Sequence, residues 1–453
     1  MDILIKIAQL FLCFTILVGI HELGHFLMAR AFKIRVEKFY IFFDPWFSLF
    51  KFKRGDTEYG LGWLPLGGYV KIAGMIDESM DKEQMKQPVK PDEFRAKPAW
   101  QRLLVMVAGV MMNVLLAIVI YCAVCYTWGD SYFSNQDAKW GYNFNPTAHE
   151  MGFRDGDRFV SIDGEEIDNV MRVQNDLLIT DGGRRVIVER GGEPVTLDIP
   201  FESLLRMRQE KAYEDLFTLR LPFIVDSVSY TSAVEAGLES GDEVVAIDDL
   251  RDADYPRYRD YLQKHKNDKV LLTVRRDGAL IDSLALPVDA EGRIGVTVTN
   301  PYSLRTQYYT FWESIPAGIH KAGKTISSYW DQLKLIVQPK TKMYEELGGF
   351  VAIGSIFPSS WDWHDFWLKT AFLSIILAVM NLLPIPGLDG GHALFTLWEI
   401  ITRRKPSEKF LEVAQYVGLM IILALLVYAN GNDIYRFFIK SVSYTHLRAT
   451  RRS

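Results

Sequence analysis

Three residues near the start of the chain have the types and spacing to hold and use a metal ion: His21, Glu22 and His25, in the segment His21-Glu22-Leu23-Gly24-His25. On a helix, residues four apart share one face, so both imidazoles can reach one tetrahedral Zn2+. Glu22 then lies beside them as a general base. The setting sharpens this reading. From Ile3 to Phe32 the only other charged side chains are Lys6 and Arg30, and the run exceeds the roughly 20 apolar residues that cross a bilayer. A centred charge in such a span costs roughly 2.5–3.5 kcal/mol on the insertion scale. Three ionisable groups within a turn and a half therefore point to chemistry, over the bland reading of two core histidines and a capping Glu in a soluble helix.

A third ligand must come from elsewhere. An apolar run from near Phe366 to Leu383 is interrupted by Asn381-Leu382-Leu383-Pro384-Ile385-Pro386-Gly387-Leu388-Asp389-Gly390-Gly391-His392. Two Pro and three Gly break a helix there, with Asp389 in the break. The His pair and Asp389 each lie about 20 residues into their spans, roughly 30 Å at 1.5 Å per residue. Matching depth allows a His21–His25–Asp389 site with a fourth position open, the pattern of catalytic rather than structural zinc. His392 is a rival ligand or a supporting group. Asn381, and Asn113 in the second apolar run, can hold substrate main chain or stabilise a tetrahedral intermediate; hydrogen bonding between helices is the alternative.

The elements that must position these groups form a multi-span α-helical membrane protein of about four transmembrane helices. The chain has 453 residues, 49% of them hydrophobic, and a net charge of −5. No basic patch with interleaved aromatics suggests nucleic acid. Cys13, Cys122 and Cys125 all fall in apolar runs and imply no disulfide framework. The first span is too long, and lacks the basic start and small-residue cleavage site, for a removed signal peptide. The expected segments are span one (1–32), a polar loop (33–98), span two (99–128), two repeats (129–215 and 216–300), an amphipathic linker region (301–365), the broken span three (366–396), a short basic loop (397–409), span four (410–440) and a polar tail (441–453), for which a cloning remnant is one reading.

Within the first loop, Tyr59–Met75 is apolar and rich in Gly and Pro. Pro65 and Gly67-Gly68 argue against a helix, and the flanking residues predict a β-hairpin, either dipping into the membrane under protein cover or lying on the surface. Asp77–Lys97 reads as a flexible loop. Residues 152–164 align with 237–249, each copy a Gly-apolar step, a Gly-Asp turn and an alternating strand. The pattern resembles PDZ domains, which can add a peptide strand to a sheet edge or serve as spacers. Ser314–Val337 has helical periodicity, suited to the membrane surface or to docking on the repeats. Trp361, Trp363 and Trp367 read as an interfacial belt. Lys and Arg crowd the first loop, and Arg403, Arg404, Lys405 and Lys409 follow span three, which puts both loops in the cytoplasm and the repeats outside it.

Taken together, His21–His25 in span one, Gly109-Val110-Met111-Met112-Asn113 in span two, Pro65 to Lys71 in the loop and Asn381 to His392 in span three resemble the site-2 protease family of intramembrane zinc metalloproteases. The two PDZ-like copies between spans two and three look like its bacterial sigma-E-regulating branch. The resemblance covers about residues 1–440. It implies Zn2+ on His21, His25 and Asp389, with Glu22 as catalytic acid/base. It implies that Asn381 helps hold substrate and that Gly67, Gly68, Tyr69 and Val70 form a membrane-associated β-element pairing with an unwound substrate helix. It further implies, as partners in the lipid bilayer of the inner membrane, pre-trimmed single-span membrane proteins such as an anti-sigma factor, and leftover signal peptides, with the PDZ-like pair as a size filter. Many members have Pro where this chain has Phe350, and Phe153 stands at the Gly-Leu-like position of the first repeat. Two other functions compete. One is a membrane scaffold with an inactive metal site; the other is a metal transporter, against which the extramembrane repeats and Glu22 both argue.

Overall fold

The computed structural model describes residues 2–64, 67–75, 88–210, 212–213, 215–251 and 254–450. Pro65 and residues 77–87 of the expected flexible loop lie outside the described residues. Two compact units emerge, Met1–Asp130 with Tyr308–Ser453, and Ser131–Gln307.

The first unit opens with helix α1 (Asp2–Ala31), which stops where Lys33 turns left-handed at φ 54°. Four strands follow: β1 (Val36–Ile41), β2 (Phe43–Arg54), β3 (Thr57–Leu64) and β4 (Tyr69–Ile72). They form one sheet in the order β2-β3-β1-β4. The hairpin expected over Tyr59–Met75 does not form. Its two strands, β3 and β4, flank β1 instead, β3 running parallel to it and β4 antiparallel. Val36 and Tyr40 are fully buried in β1; its main-chain groups need partners on both edges, which β3 and β4 supply. The hairpin that does form is β2–β3, turning at Gly55 (φ 63°). That order leaves β4 as a sheet edge.

Helix α2 (Ala99–Trp128) packs tightly on α1. A Cβ on Gly24 would sit 2.5 Å from Ala108 O, so only glycine permits this approach.

The second unit carries the repeat in three dimensions. Pro146–Glu150, Arg158–Ile162, Val173–Leu178, Arg184–Arg190 and Glu193–Ile199 recur as Thr231–Glu235, Glu243–Ile247, Tyr255–Lys264, Lys269–Arg276 and Ala279–Pro287. The turn aspartates do the same work in both. Arg190 Nε donates to buried Asp157 at 2.7 Å, and Arg276 Nε to buried Asp242 at 2.6 Å; each arginine also reaches Gly152 O or Gly237 O. Leu216 belongs to the first core, and Phe217–Leu219 pairs with Tyr142–Phe144, so the first half runs on to Leu219.

Back in the first unit, α3 (Phe311–Val337) starts at a Thr310–Glu313 capping box. It lies against α2, an arrangement neither expected placement anticipated. Gly318 presses on Cys122, Ala322 shares a buried cluster with Ala117 and Tyr121, and Lys321 reaches Asp130 at 2.7 Å. Small residues down one side of α3 make this close approach possible. The short α4 (Phe350–Ser355) is tied to the last helix: Asp433 accepts the Gly349, Val351 and Ala352 N–H groups at 3.0 Å, and Asn430 accepts that of Phe350.

Helix α5 (Trp363–Leu382) ends at the Pro-rich break, and α6 (Asp389–Thr402) begins with Asp389. Gly387 takes φ +103°, and a Cβ on Gly390 would lie 2.3 Å from Leu383 O, so the break folds back on the end of α5. Helix α7 (Glu408–Thr450) continues through the expected tail. Among the described residues, four helices are long and apolar enough to cross a membrane: α1, α2, α5 and α7. Arg102 at the start of α2 pairs with Glu399 near the end of α6 at 2.6 Å, which puts these two ends on the same side.

Candidate metal centre

The structure brings together the three residues named from depth and spacing. His21 and His25 present their Nε2 atoms 3.2 Å apart. Asp389 Oδ2 lies 3.1 Å from His21 Nε2 and 3.3 Å from His25 Nε2. Four ligands at 2.0–2.1 Å from a zinc ion stand about 3.3–3.4 Å from one another, so this triangle matches one face of a zinc tetrahedron.

The hydrogen bonds agree with that fit. His25 Nδ1 donates to Val105 O at 2.8 Å, which leaves Nε2 with a lone pair. Behind His21, the Asn113 carboxamide lies 3.3 Å from Nδ1. With its oxygen turned to the ring, Asn113 accepts Nδ1–H and leaves Nε2 bare as well. Asp389 Oδ2 is buried with no hydrogen bond satisfying it, although both ring nitrogens are close. In those tautomers three lone pairs converge in a buried place, an arrangement that a metal cation between them would satisfy. Gly109 makes the room: a Cβ there would fall 2.4 Å from His25 Nε2 and 2.7 Å from His21 Cε1.

A cavity of about 920 Å³ opens on this triangle. Glu22, Asn381 and the loop–strand stretch Gly67, Gly68, Tyr69 and Val70 all line it. The Val70 N–H reaches the Glu22 carboxylate. Gly68 lies so close that a Cβ would be 2.6 Å from Tyr40 O and 3.3 Å from Glu22 Cγ, and Tyr69 is held by Asp44 at 2.9 Å. His392 lines the cavity but is not part of the three-residue group. Asn113 is fully buried, with its carboxamide 3.3 Å from His21 Nδ1, and is not among the residues that line the cavity. Among the residues that line the cavity but went unnamed in the sequence is the polar Gln415. Gln415 did leave a signal, as an uncharged polar residue inside the fourth apolar run.

This arrangement, with two histidines and a carboxylate around a cavity in a bundle of apolar helices, defines a membrane metallopeptidase. Comparison with known proteins agrees. The model of Peptidase family M50 matches residues 9–425. A Clostridium perfringens protein named as a zinc metalloprotease is 30% identical over 426 residues, covering 93% of this chain and 96% of its own. The regulator of sigma E protease of Haemophilus influenzae is 27% identical, covering 96% and 100%. A Vibrio cholerae protein, also named as a zinc metalloprotease, is 29% identical, covering 96% and 99%. The chain belongs to Peptidase family M50, the site-2 proteases, and is a metalloendopeptidase.

Proposed function

We propose that this enzyme hydrolyses peptide bonds within the transmembrane segments of single-span membrane proteins already trimmed outside the membrane. The observation that carries the reading is the buried His21–His25–Asp389 triangle, with sides of 3.1–3.3 Å, opening on a cavity beside Glu22. His21, His25 and Asp389 hold the metal. Zn2+ there supplies Lewis acidity to the scissile carbonyl and acidifies a water. Glu22 takes the proton from the attacking water and later hands it to the leaving amine nitrogen. Helical peptide bonds are shielded by their own hydrogen bonds, so the substrate must unwind. The β4 edge at Tyr69–Ile72 receives the extended segment as an added strand, with Gly67 and Gly68 letting it approach, and Asn381 steadies it.

The basic loops after α1 and α6 favour the cytoplasmic side, with the repeated unit outside the cytoplasm of a bacterial inner membrane. The two halves of that unit share one order of helices and strands, which supports reading them as PDZ-like copies that act as a filter against untrimmed proteins. An anti-sigma factor fits as a substrate, in regulated proteolysis, as the Haemophilus relative's name suggests for that protein. The test is co-expression with candidate single-span proteins. The unmodified chain should cleave at least one, and Glu22→Gln should keep zinc but not cleave. Normal turnover by Glu22→Gln removes the assigned role.

A further inference from the structure

We infer that the Gln415 carboxamide is a substrate-binding group, which hydrogen-bonds the main chain of the unwound segment in the cavity. The inference rests on the proposed function and adds a contact from the fourth span. On α7 the inward stripe is Leu411, Gln415, Gly418 and Ile422, while Val413, Tyr416 and Val417 are exposed. Gln415 is 8% exposed and is the one polar residue of the stripe. It lines the same cavity as His21, Glu22, Asn381 and Asp389. Among the described residues it has no hydrogen-bond partner, and its amide atoms are not sealed from the cavity, so they are open to a ligand there.

Its place is set by the backbone. One turn further on, Gly418 lies directly on Pro386, where a Cβ would overlap the Pro386 oxygen, so α7 is pinned to the break that carries Asp389. A strand added to β4 satisfies one of its own edges and leaves alternate N–H and C=O groups facing away. In a lipid-bounded cavity those groups need protein partners. A carboxamide offers two donors and two lone pairs without charge, matching a peptide group in both directions. Such a contact reads main chain rather than sequence.

The test uses the full chain with zinc bound and a synthetic single-span peptide of Leu and Ala with a central Ser-Gly. A set of esters, each replacing one peptide N–H near the cleaved bond, completes the cycle. Gln415→Leu should raise KM roughly three- to tenfold, with kcat within about twofold and zinc content unchanged. One ester should weaken the unmodified enzyme by a similar factor and have no further effect on Gln415→Leu. If Gln415→Leu loses zinc, Gln415→Met, closer in volume, is read instead; zinc loss in both makes the residue structural and overturns the inference. Equal ester sensitivity in enzyme and variant, or an unchanged KM, overturns it while leaving the proposed function standing. No cleavage by the unmodified enzyme removes both.

Discussion

Gly109→Ala tests the metal centre most directly. The new Cβ would lie 2.4 Å from His25 Nε2, 2.7 Å from His21 Cε1 and 2.9 Å from His21 Nε2. Ordinary van der Waals contact begins near 3.4 Å, so the rings or the helix must yield by up to about 1 Å. The ligand triangle has no such slack, because metal–ligand distances tolerate only about 0.2 Å. Nor can α2 simply retreat, since Gly24 rests on Ala108 and His25 is bonded to Val105 O. We expect at least a tenfold loss of zinc affinity, alongside the roughly 1–3 kcal/mol usual for overpacking. Chelator competition on purified protein reads the affinity, and thermal unfolding of the metal-free protein reads the packing. Gly323→Ala on α3, with open space around it, serves as the control. Wild-type zinc affinity in Gly109→Ala would refute the claim that these imidazoles share one ion.

The remaining predictions concern the ligand set and the second unit. Asp389→Ala should strip zinc from the purified enzyme, where Glu22→Gln does not, as metal analysis would show. Arg276→Leu should destabilise the second unit clearly, because it leaves the buried Asp242 carboxylate without its guanidinium partner. Arg185→Leu breaks only the exposed Asp198 pair and should shift denaturant unfolding far less than Arg276→Leu. Burial alone would raise the Asp242 carboxyl, but the Arg276 guanidinium and Glu239 N–H hold it below the ordinary range. A depressed native value contributes stability above the unfolded pKa of about 3.9, lost as pH falls below it. Asp242→Asn should therefore lower the melting temperature of the second unit at pH 7 and flatten its acid limb; an equally steep limb would contradict this.

The sequence was legible where the signal is local. The histidine pair follows from helical period, and the break follows from Pro384, Pro386 and the glycines, whose conformations decide the chain path whatever surrounds them. The Gly-Asp repeat was visible in the turn residues themselves, and Asp157 and Asp242 turn out to perform one task, each for an arginine 33 or 34 residues further on. Pairing choices were not legible. Tyr59–Met75 has hairpin residues, yet β1, distant in sequence, takes both strands, and nothing in their composition encodes that. Nor did the Gly109 motif show that the neighbours of Gly109 would be the two imidazoles. Asn113 was ambiguous between substrate and scaffold because depth alone cannot tell which way an amide points.

The acceptor for His25 Nδ1 belongs to the main chain of α2, at Val105. Exchanging the Val105 side chain cannot remove it, whereas a carboxylate in that role could be lost by a single codon change. The ring is keyed instead to how α2 is rotated and seated. A slip of one residue turns the helix by about 100° and shifts it by about 1.5 Å, carrying that oxygen out of reach. This half of the centre is therefore buffered against point substitution at 105 and exposed to insertions or deletions in the second span, which should inactivate the enzyme even when the span stays apolar and long enough to cross the bilayer.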